Sequence, residues 1–173
     1  FRKADPSLQT LFLWRNGPTV VIGRHQNAFS ECRLAKMEED NVTLARRHSG
    51  GGAVYQDLGN TCFTFISPLD QWKIERNSGI VCEGLGRVGI QASPRGRNDS
   101  EVNGAKVSGA AYKLSGDRAF HHGTLLINVD MQALAKYLTP NQEKLRSKGI
   151  KSVAARVANL ADINPAVSHE SVS

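Results

Sequence analysis

Arg46-Arg47-His48-Ser49-Gly50-Gly51-Gly52-Ala53-Val54-Tyr55-Gln56-Asp57-Leu58-Gly59-Asn60 decides how this chain is read. Two cations run into three consecutive glycines. Glycine loses more backbone freedom on folding than any other residue. A triplet of it beside two arginines points to backbone N–H groups brought close to an anion. The following run, Thr61-Cys62-Phe63-Thr64-Phe65-Ile66, reads as a buried strand, so the loop is carried on a sheet. Neither the G-x-x-x-x-G-K-[ST] spacing nor G-x-G-x-x-G occurs, which excludes a P-loop and the dinucleotide fingerprint. A bare glycine triplet is also compatible with a flexible surface turn; its neighbours favour the anion.

A second stretch, Asp99-Ser100-Glu101-Val102-Asn103-Gly104-Ala105-Lys106-Val107-Ser108-Gly109-Ala110-Ala111, carries the other half of the argument. Asn103-Gly104 is the strongest two-residue hairpin signal. On the return strand, the two-residue period puts Lys106, Ser108 and Ala110 on one face. The small residues 108–111 leave space beside the lysine, as a ligand requires; a solvated lysine at a hairpin end is the competing reading. Loop and lysine together describe a pocket for an anion with an apolar tail, on an α+β domain that binds an anion or a nucleotide.

The remaining chain supplies the scaffold. Leu11–Trp14 and Thr19–Ile22, either side of Asn16-Gly17-Pro18, predict a hairpin. Ser30 is placed to cap a helix over Glu31 to Asp40, with Leu34 and Met37 on one face and Asn41 ending it. Val42 to Arg46 is a strand delivering the arginines to the loop. Ala53–Gln56 and Thr61–Ile66 predict a hairpin through Asp57-Leu58-Gly59-Asn60. A helix is placed over Ser78–Val88 despite its glycines, then a short strand over Ile90–Ala92 and a basic loop over Pro94–Asn98. Ala119–Asn128 is a strand, so the adjacent His121 and His122 point to opposite faces and cannot chelate one metal in the usual way. Asp130 is placed to cap a helix over Met131–Leu138. Gln142–Ser147 and Ser152–Leu160 are helical or irregular, and a last helix starts near Ser168.

At 173 residues the chain is long enough for one domain with a real core. Its +6 charge is dispersed rather than blocked, which fits an anionic small molecule or an acidic protein partner and not nucleic acid, since no basic run carries interleaved aromatics. No apolar run is long enough to span a membrane. Cys32, Cys62 and Cys82 include no C-x-x-C pair, so zinc and dithiol sites are unsupported, and free thiols in a reducing compartment fit best. Cys62 alternates with phenylalanines and reads as core rather than as a nucleophile.

Arg46-Arg47-x-Ser49-Gly50-Gly51-Gly52-Ala53-Val54-x-x-Asp57-x-Gly59-Asn60, then Asn98-Asp99 and Gly104-x-Lys106-Val107-Ser108-Gly109, closely resembles the lipoate–protein ligase A family. Val21-Ile22-Gly23-Arg24-x-Gln26-Asn27, Met37 to Asn41 and His121-His122-Gly123-Thr124-Leu125 extend the resemblance over nearly the whole chain. It implies an α+β fold of mixed, largely antiparallel sheets flanked by helices, shared with biotin–protein ligases and octanoyltransferases. It implies activation of lipoate with ATP and Mg2+ to lipoyl-AMP. The lipoyl group then passes to one lysine of the lipoyl domains of 2-oxo acid dehydrogenase E2 subunits or of the glycine cleavage H protein, in the cytoplasm or, in a eukaryote, in mitochondria or another organelle. Lys106 matches the family's essential lysine. Arg47, Gly51, Gly52, Ala53, Val54 and Tyr55 fall on the stretch that contacts ATP and the adenylate. Ser49, Gly50 and His122, with Lys106, are assigned to lipoate, and Asp99 to magnesium or to the lysine. His48 departs from the small or polar residue usual there. Residues 1–173 are expected to be a catalytic domain lacking the family's N-terminal strand and C-terminal accessory domain. A lipoyl or octanoyl transferase using a pre-activated donor, and a non-catalytic ligand-binding domain, are the alternatives; a biotin ligase has a differently built glycine motif.

Overall fold

The computed structural model describes residues 5, 7–96, 98–139 and 157–173. Two sheets divide the chain. Strands β1 (Thr10–Trp14), β5 (Asn60–Pro68), β9 (Arg118–Leu126), β8 (Ala105–Ser115), β7 (Asp99–Val102) and β6 (Ser93–Arg95) form a six-stranded sheet in that order. All its pairs are antiparallel. In the three-stranded sheet β2 (Thr19–Ile22) lies parallel to β3 (Thr43–Arg46) and antiparallel to β4 (Val54–Gln56). The mixed, largely antiparallel α+β architecture is as expected.

Two predicted hairpins are not hairpins. The turn at Asn16–Pro18 and the turn at Asp57–Gly59 each pass the chain from one sheet to the other. Turn chemistry reverses a chain but does not choose its pairing partner. That choice follows burial: β2 hides Thr19, Val20 and Ile22, and so occupies the centre of the small sheet. β1 leaves Leu11 and Phe12 exposed and takes an edge of the large one. The second turn is fastened to the end of β9. Asp57 Oδ1 accepts from the Gly59 amide, Asp57 Oδ2 from the Asp130 amide, and the Gly59 carbonyl from the amides of Ile127 and Asn128. A Cβ on Gly59 would collide with the Asn128 backbone, which is why glycine stands there.

Alternation along β5 and β9 sorts the core into two clusters, one on each face of the large sheet. Phe63, Phe65, Leu125, Val107, Leu85 and Leu160 pack on the side covered by α3 (Ile74–Arg87) and α5 (Leu160–Ile163). Leu126 joins Val20, Ile22, Met37, Tyr55 and Tyr137 between the two sheets and α4 (Met131–Tyr137). Each buried aliphatic or aromatic side chain contributes roughly 1.5–3 kcal/mol.

The helices differ in detail from the reading. The helix placed over Glu31–Asp40 is broken at Cys32 into α1 (Ala28–Glu31) and α2 (Leu34–Glu39), because Asn27, not Ser30, caps the first turn through the Phe29 amide and Cys32 is extended. Met37 is buried as predicted, and Asn41 ends the segment at φ +56°. Helix α3 begins four residues before Ser78. The strand expected at Ile90–Ala92 lies at Ser93–Arg95, so the predicted basic loop is partly strand β6. Asp130 caps α4 by accepting from the amides of Gln132 and Ala133, as expected. Residues 157–159 are not helical, and the segment after Ser168 forms turns rather than a helix. Gln142–Ser147 and residues 152–156 lie outside the described residues.

Candidate active site

Strand β3 delivers Arg46 and Arg47 to the glycine loop; Arg46 fastens the Gly23–Gln26 segment beneath the loop, and Arg47 fastens the loop itself. Arg46 Nη1 donates to the carbonyls of Gly23, Arg24 and Gln26 at 3.1, 3.3 and 2.7 Å. Arg47 donates through Nε and Nη2 to the Gly50 carbonyl at 3.1 and 2.7 Å, through Nη2 to Gly52 at 2.9 Å, and through Nη1 to Val21 at 2.9 Å. The sequence reads Arg47 as a hand reaching for phosphate; here the fork is turned inward onto its own loop. Burial holds this guanidinium below the usual arginine value, opposed by the charge of Glu31. Gly51 sits at φ +95°, and Gly23 lacks the Cβ that would strike the Gly51 carbonyl. The loop therefore lies flat on the Gly23–Gln26 segment.

Glu31, which the sequence did not mark, enters from α1. Its Oε2 accepts from the Ala53 amide at 2.8 Å and lies 3.3 Å from where a Cβ on Gly52 would be. Carboxylate at a glycine-loop amide is the kind of partner such a loop selects. Only its spacing ahead of α2 was visible in the sequence, and that carries no such signal.

Ser49, 2% exposed, ties the loop to the large sheet through Oγ···His122 Nε2 at 2.6 Å. His122 is held neutral, at about 4, mainly by burial and then by the charge of Arg47. As predicted, its neighbour points the other way. His121 is buried among Phe63 and Phe65, at ring distances of 6.1 and 6.2 Å, and burial brings it to about 4 as well.

The Asn103-Gly104 hairpin joins β7 to β8 as predicted, with φ values of +50° and +81°. Its face assignment needs correcting. Register shifts between Ser100 and Glu101: Ser100 pairs with Ser108, but Glu101 pairs with Lys106. Val107 is thus an extra residue, a β-bulge, and it turns Lys106 away from the side of Ser108 and Ala110. Lys106 instead shares a face with Asp99 and Gly109. Its Nζ lies 2.7 Å from Asp99 Oδ1, and a Cβ on Gly109 would sit 3.0 Å from Lys106 Cε and Nζ. Glycine at 109 makes the lysine's berth. Both partners of this pair are 38% exposed, so it contributes about 0–1 kcal/mol; it orients the lysine more than it stabilises the fold. The Lys106 carbonyl accepts from the Ala158 amide, which anchors the strand beneath it.

Register joins the two halves. Asp99, Gly109, Thr124, Cys62 and Trp14 are successive cross-strand partners, and Ala111, His122, Thr64 and Phe12 form the next row of the same face. Lys106 and the His122 that holds the glycine loop therefore belong to one face of one sheet. Cys62 is on that face too, but fully buried, with its thiol pushed up to about 12 by burial, and is core as predicted. Tyr55 is buried with its ring 5.5 Å from that of Tyr137, whereas Val54 is exposed. His48 is exposed. Among the described residues no group of three His, Cys, Asp or Glu is gathered to hold a metal, and Asp99 is committed to Lys106. An open hollow of about 490 Å³, lined by Pro18, Tyr55, Asp57, Leu58, Asn128 and Asp130, and another of about 240 Å³ by Trp14 and His169 include neither the glycine triplet nor Lys106.

A glycine loop with inward-facing arginines and a bulged lysine hairpin are thus carried by one α+β domain of two sheets. The chain belongs to the lipoyl protein ligase A/B catalytic domain family, whose model matches residues 1–173. It is 55% identical over its whole length to lipoate-protein ligase A of Psychrobacter cryohalolentis, of which it covers 51%. Among solved structures it is similar to Plasmodium falciparum LipL1 in complex with lipoate (44% identity, TM-score 0.84, 96% of this chain and 47% of that one). It is similar to the bipartite lipoate protein ligase of Thermoplasma acidophilum, described with its E2 lipoyl domain (33%, TM-score 0.83, 95% and 66%). A lipoate-protein ligase A bound with ATP matches at 28% identity and TM-score 0.82, over 95% and 68%. The chain spans about half the length of the curated relatives it matches.

Proposed function

We propose that the protein is an ATP-dependent lipoate–protein ligase and that this chain carries its adenylating site. The observation that supports this most is the common face of the glycine loop and the Lys106–Asp99 pair. Lipoate's carboxylate must attack the α-phosphorus of ATP, although both are anions. The new carboxyl–phosphate bond forms as the bond to the β-phosphate breaks and pyrophosphate leaves. Lys106 bridges carboxylate and phosphate and stabilises the charge that builds between them. The amides of Gly51, Gly52 and Ala53 hold phosphate oxygens, with Val54 and Tyr55 contributing backbone contacts. Arg47 supplies positive field and keeps the amides in place. Ser49, Gly50 and His122 line the way to lipoate, whose apolar chain lies along the sheet. Asp99 holds Lys106 in position until the anions arrive.

Magnesium comes as part of the nucleotide substrate, held by its phosphates. In the second half-reaction the neutral amine of an acceptor lysine attacks the acyl carbon, AMP leaves, and the amine loses its proton. The nearby Lys106 charge disfavours a second cation and so favours that neutral amine. The acceptors are lipoyl domains of 2-oxo acid dehydrogenase E2 subunits and the glycine cleavage H protein; the +6 charge suits an acidic partner. The free thiols of Cys32, Cys62 and Cys82 fit the reducing cytoplasm, or an organelle matrix in a eukaryote. The route through an acyl-carrier donor needs a reactive cysteine, and Cys62 is buried with a raised pKa.

The test is lipoylation of a lipoyl domain with lipoate and ATP, set beside the same assay with preformed lipoyl-AMP. Product in both supports the ligase. Product with the adenylate alone makes it a transferase, and product with neither makes it a binding domain.

A further inference from the structure

Resting on the ligase reading, we propose that Glu31 is an internal anion that occupies the glycine loop and is displaced by the phosphate of the incoming nucleotide, so that it sets the site's affinity for ATP. Three observations carry this. The Glu31 carboxylate accepts the Ala53 amide at 2.8 Å, beside Gly52, and so takes a donor that a phosphate would use. Its charge acts on Arg47, the cation that runs beneath the same loop to the Gly50 and Gly52 carbonyls. And Glu31 is the last residue of α1, a single turn whose backbone is held at Cys32 and Arg33 by the end of α4, so the carboxylate can leave the amide by side-chain rotation alone.

The physical consequence is a competition. With Glu31 in place, the loop is neutralised from within, which holds three glycines in one conformation before any ligand arrives. A phosphate entering must displace the carboxylate from the amide and bear the repulsion of a like charge, which is strong in a partly buried site. Affinity is thereby lowered, and release of AMP and pyrophosphate is eased by the returning carboxylate. The main-chain carbonyl of Glu31 also accepts the Thr139 amide after α4, so α1 stays anchored while the side chain moves.

Glu31→Gln separates charge from shape, because the amide oxygen still accepts from Ala53. Binding of magnesium ATP to the full chain, without lipoate, is measured by titration calorimetry for the wild type and for this variant. Adenylation kinetics follow with saturating lipoate. Glu31→Gln is expected to bind ATP about 5-fold tighter and to lower KM for ATP by a similar factor, with kcat for adenylation lowered as product leaves more slowly. The melting temperature should move little. Equal or weaker ATP binding by Glu31→Gln, with normal binding by the wild type, overturns the proposal and makes Glu31 a strut or a ligand contact. No ATP binding by the wild type overturns the ligase reading itself, and this proposal with it.

Discussion

The glycine loop and the Lys106 hairpin stand on one face of one sheet, but they are held in opposite ways. Two arginines, a serine and a glutamate tie down the loop, and eight of the hydrogen bonds described above end on it or on the segment beneath it. The lysine is held by a bulge, an absent Cβ at Gly109 and one half-exposed ion pair. In the proposed reaction Lys106 follows charge as it moves between carboxylate and phosphate, which needs freedom that the donors framing it do not. If the proposed mechanism holds, the difference separates residues that make the site from a residue that works in it, and substitutions should separate along the same line.

The largest effect is expected at Lys106. Lys106→Ala should reduce lipoyl-AMP formation by about 10³-fold or more, while stability changes by about 1 kcal/mol or less, because its ion pair is half exposed; pyrophosphate release and thermal unfolding measure the two. Wild-type adenylation in this variant would remove the lysine from the chemistry. Gly109→Ala comes next. Its Cβ would fall 3.0 Å from Lys106 Cε and Nζ, so the flexible lysine end must shift, and a displaced reacting group loses about 10- to 100-fold in kcat. Unchanged kcat would show that the berth is not needed.

On the loop side the balance reverses. Arg47→Ala removes the donors to Val21, Gly50 and Gly52 and should cost about 2–4 kcal/mol in denaturant unfolding. ATP KM should rise more than kcat falls. A stable variant with intact KM would contradict the loop-holding role.

The broadest effect, and the one furthest from the chemistry, is with pH. His121 and His122, brought to about 4 from 6.5, are neutral in the fold. Below about 6.5 the unfolded chain takes up protons that the folded chain refuses. Stability is thus fully present above 6.5 and lost as pH falls toward 4, by up to about 3 kcal/mol for each histidine. Urea midpoints at pH 7 and pH 5 check this, and His121→Phe should flatten the slope without affecting the loop. An equal slope in that variant would take His121 out of the account.

Much of the arrangement could be read from the chain. Val42 to Arg46 leads a strand into the glycine loop, Asn103-Gly104 announces the turn before Lys106, and adjacency alone puts His121 and His122 on opposite faces. What could not be read depends on pairing. The period of two holds only while the ladder is regular, so the bulge at Val107 reversed the face of Lys106, and no local pattern marks a bulge that is defined by the pairing of β8 with Ser100 and Glu101. The two turns read as hairpins were real turns whose strands found partners 33 to 66 residues away in sequence. Arg47 was read by its charge, which the sequence supplies, and not by its fork direction, which the carbonyls of Gly50 and Gly52 decide. Glu31 was invisible because its meaning lies in Ala53.

The central claim is that loop and lysine hairpin act on one ligand. Its most direct test is a titration of the labelled protein with a non-hydrolysable lipoyl-AMP analogue, followed by NMR at the amides of Gly51, Gly52 and Ala53 and at Lys106. The account predicts that the loop amides and the Lys106 resonances shift together, along one binding curve with one Kd. Shifts confined to the loop, or two curves with different Kd values, would contradict it.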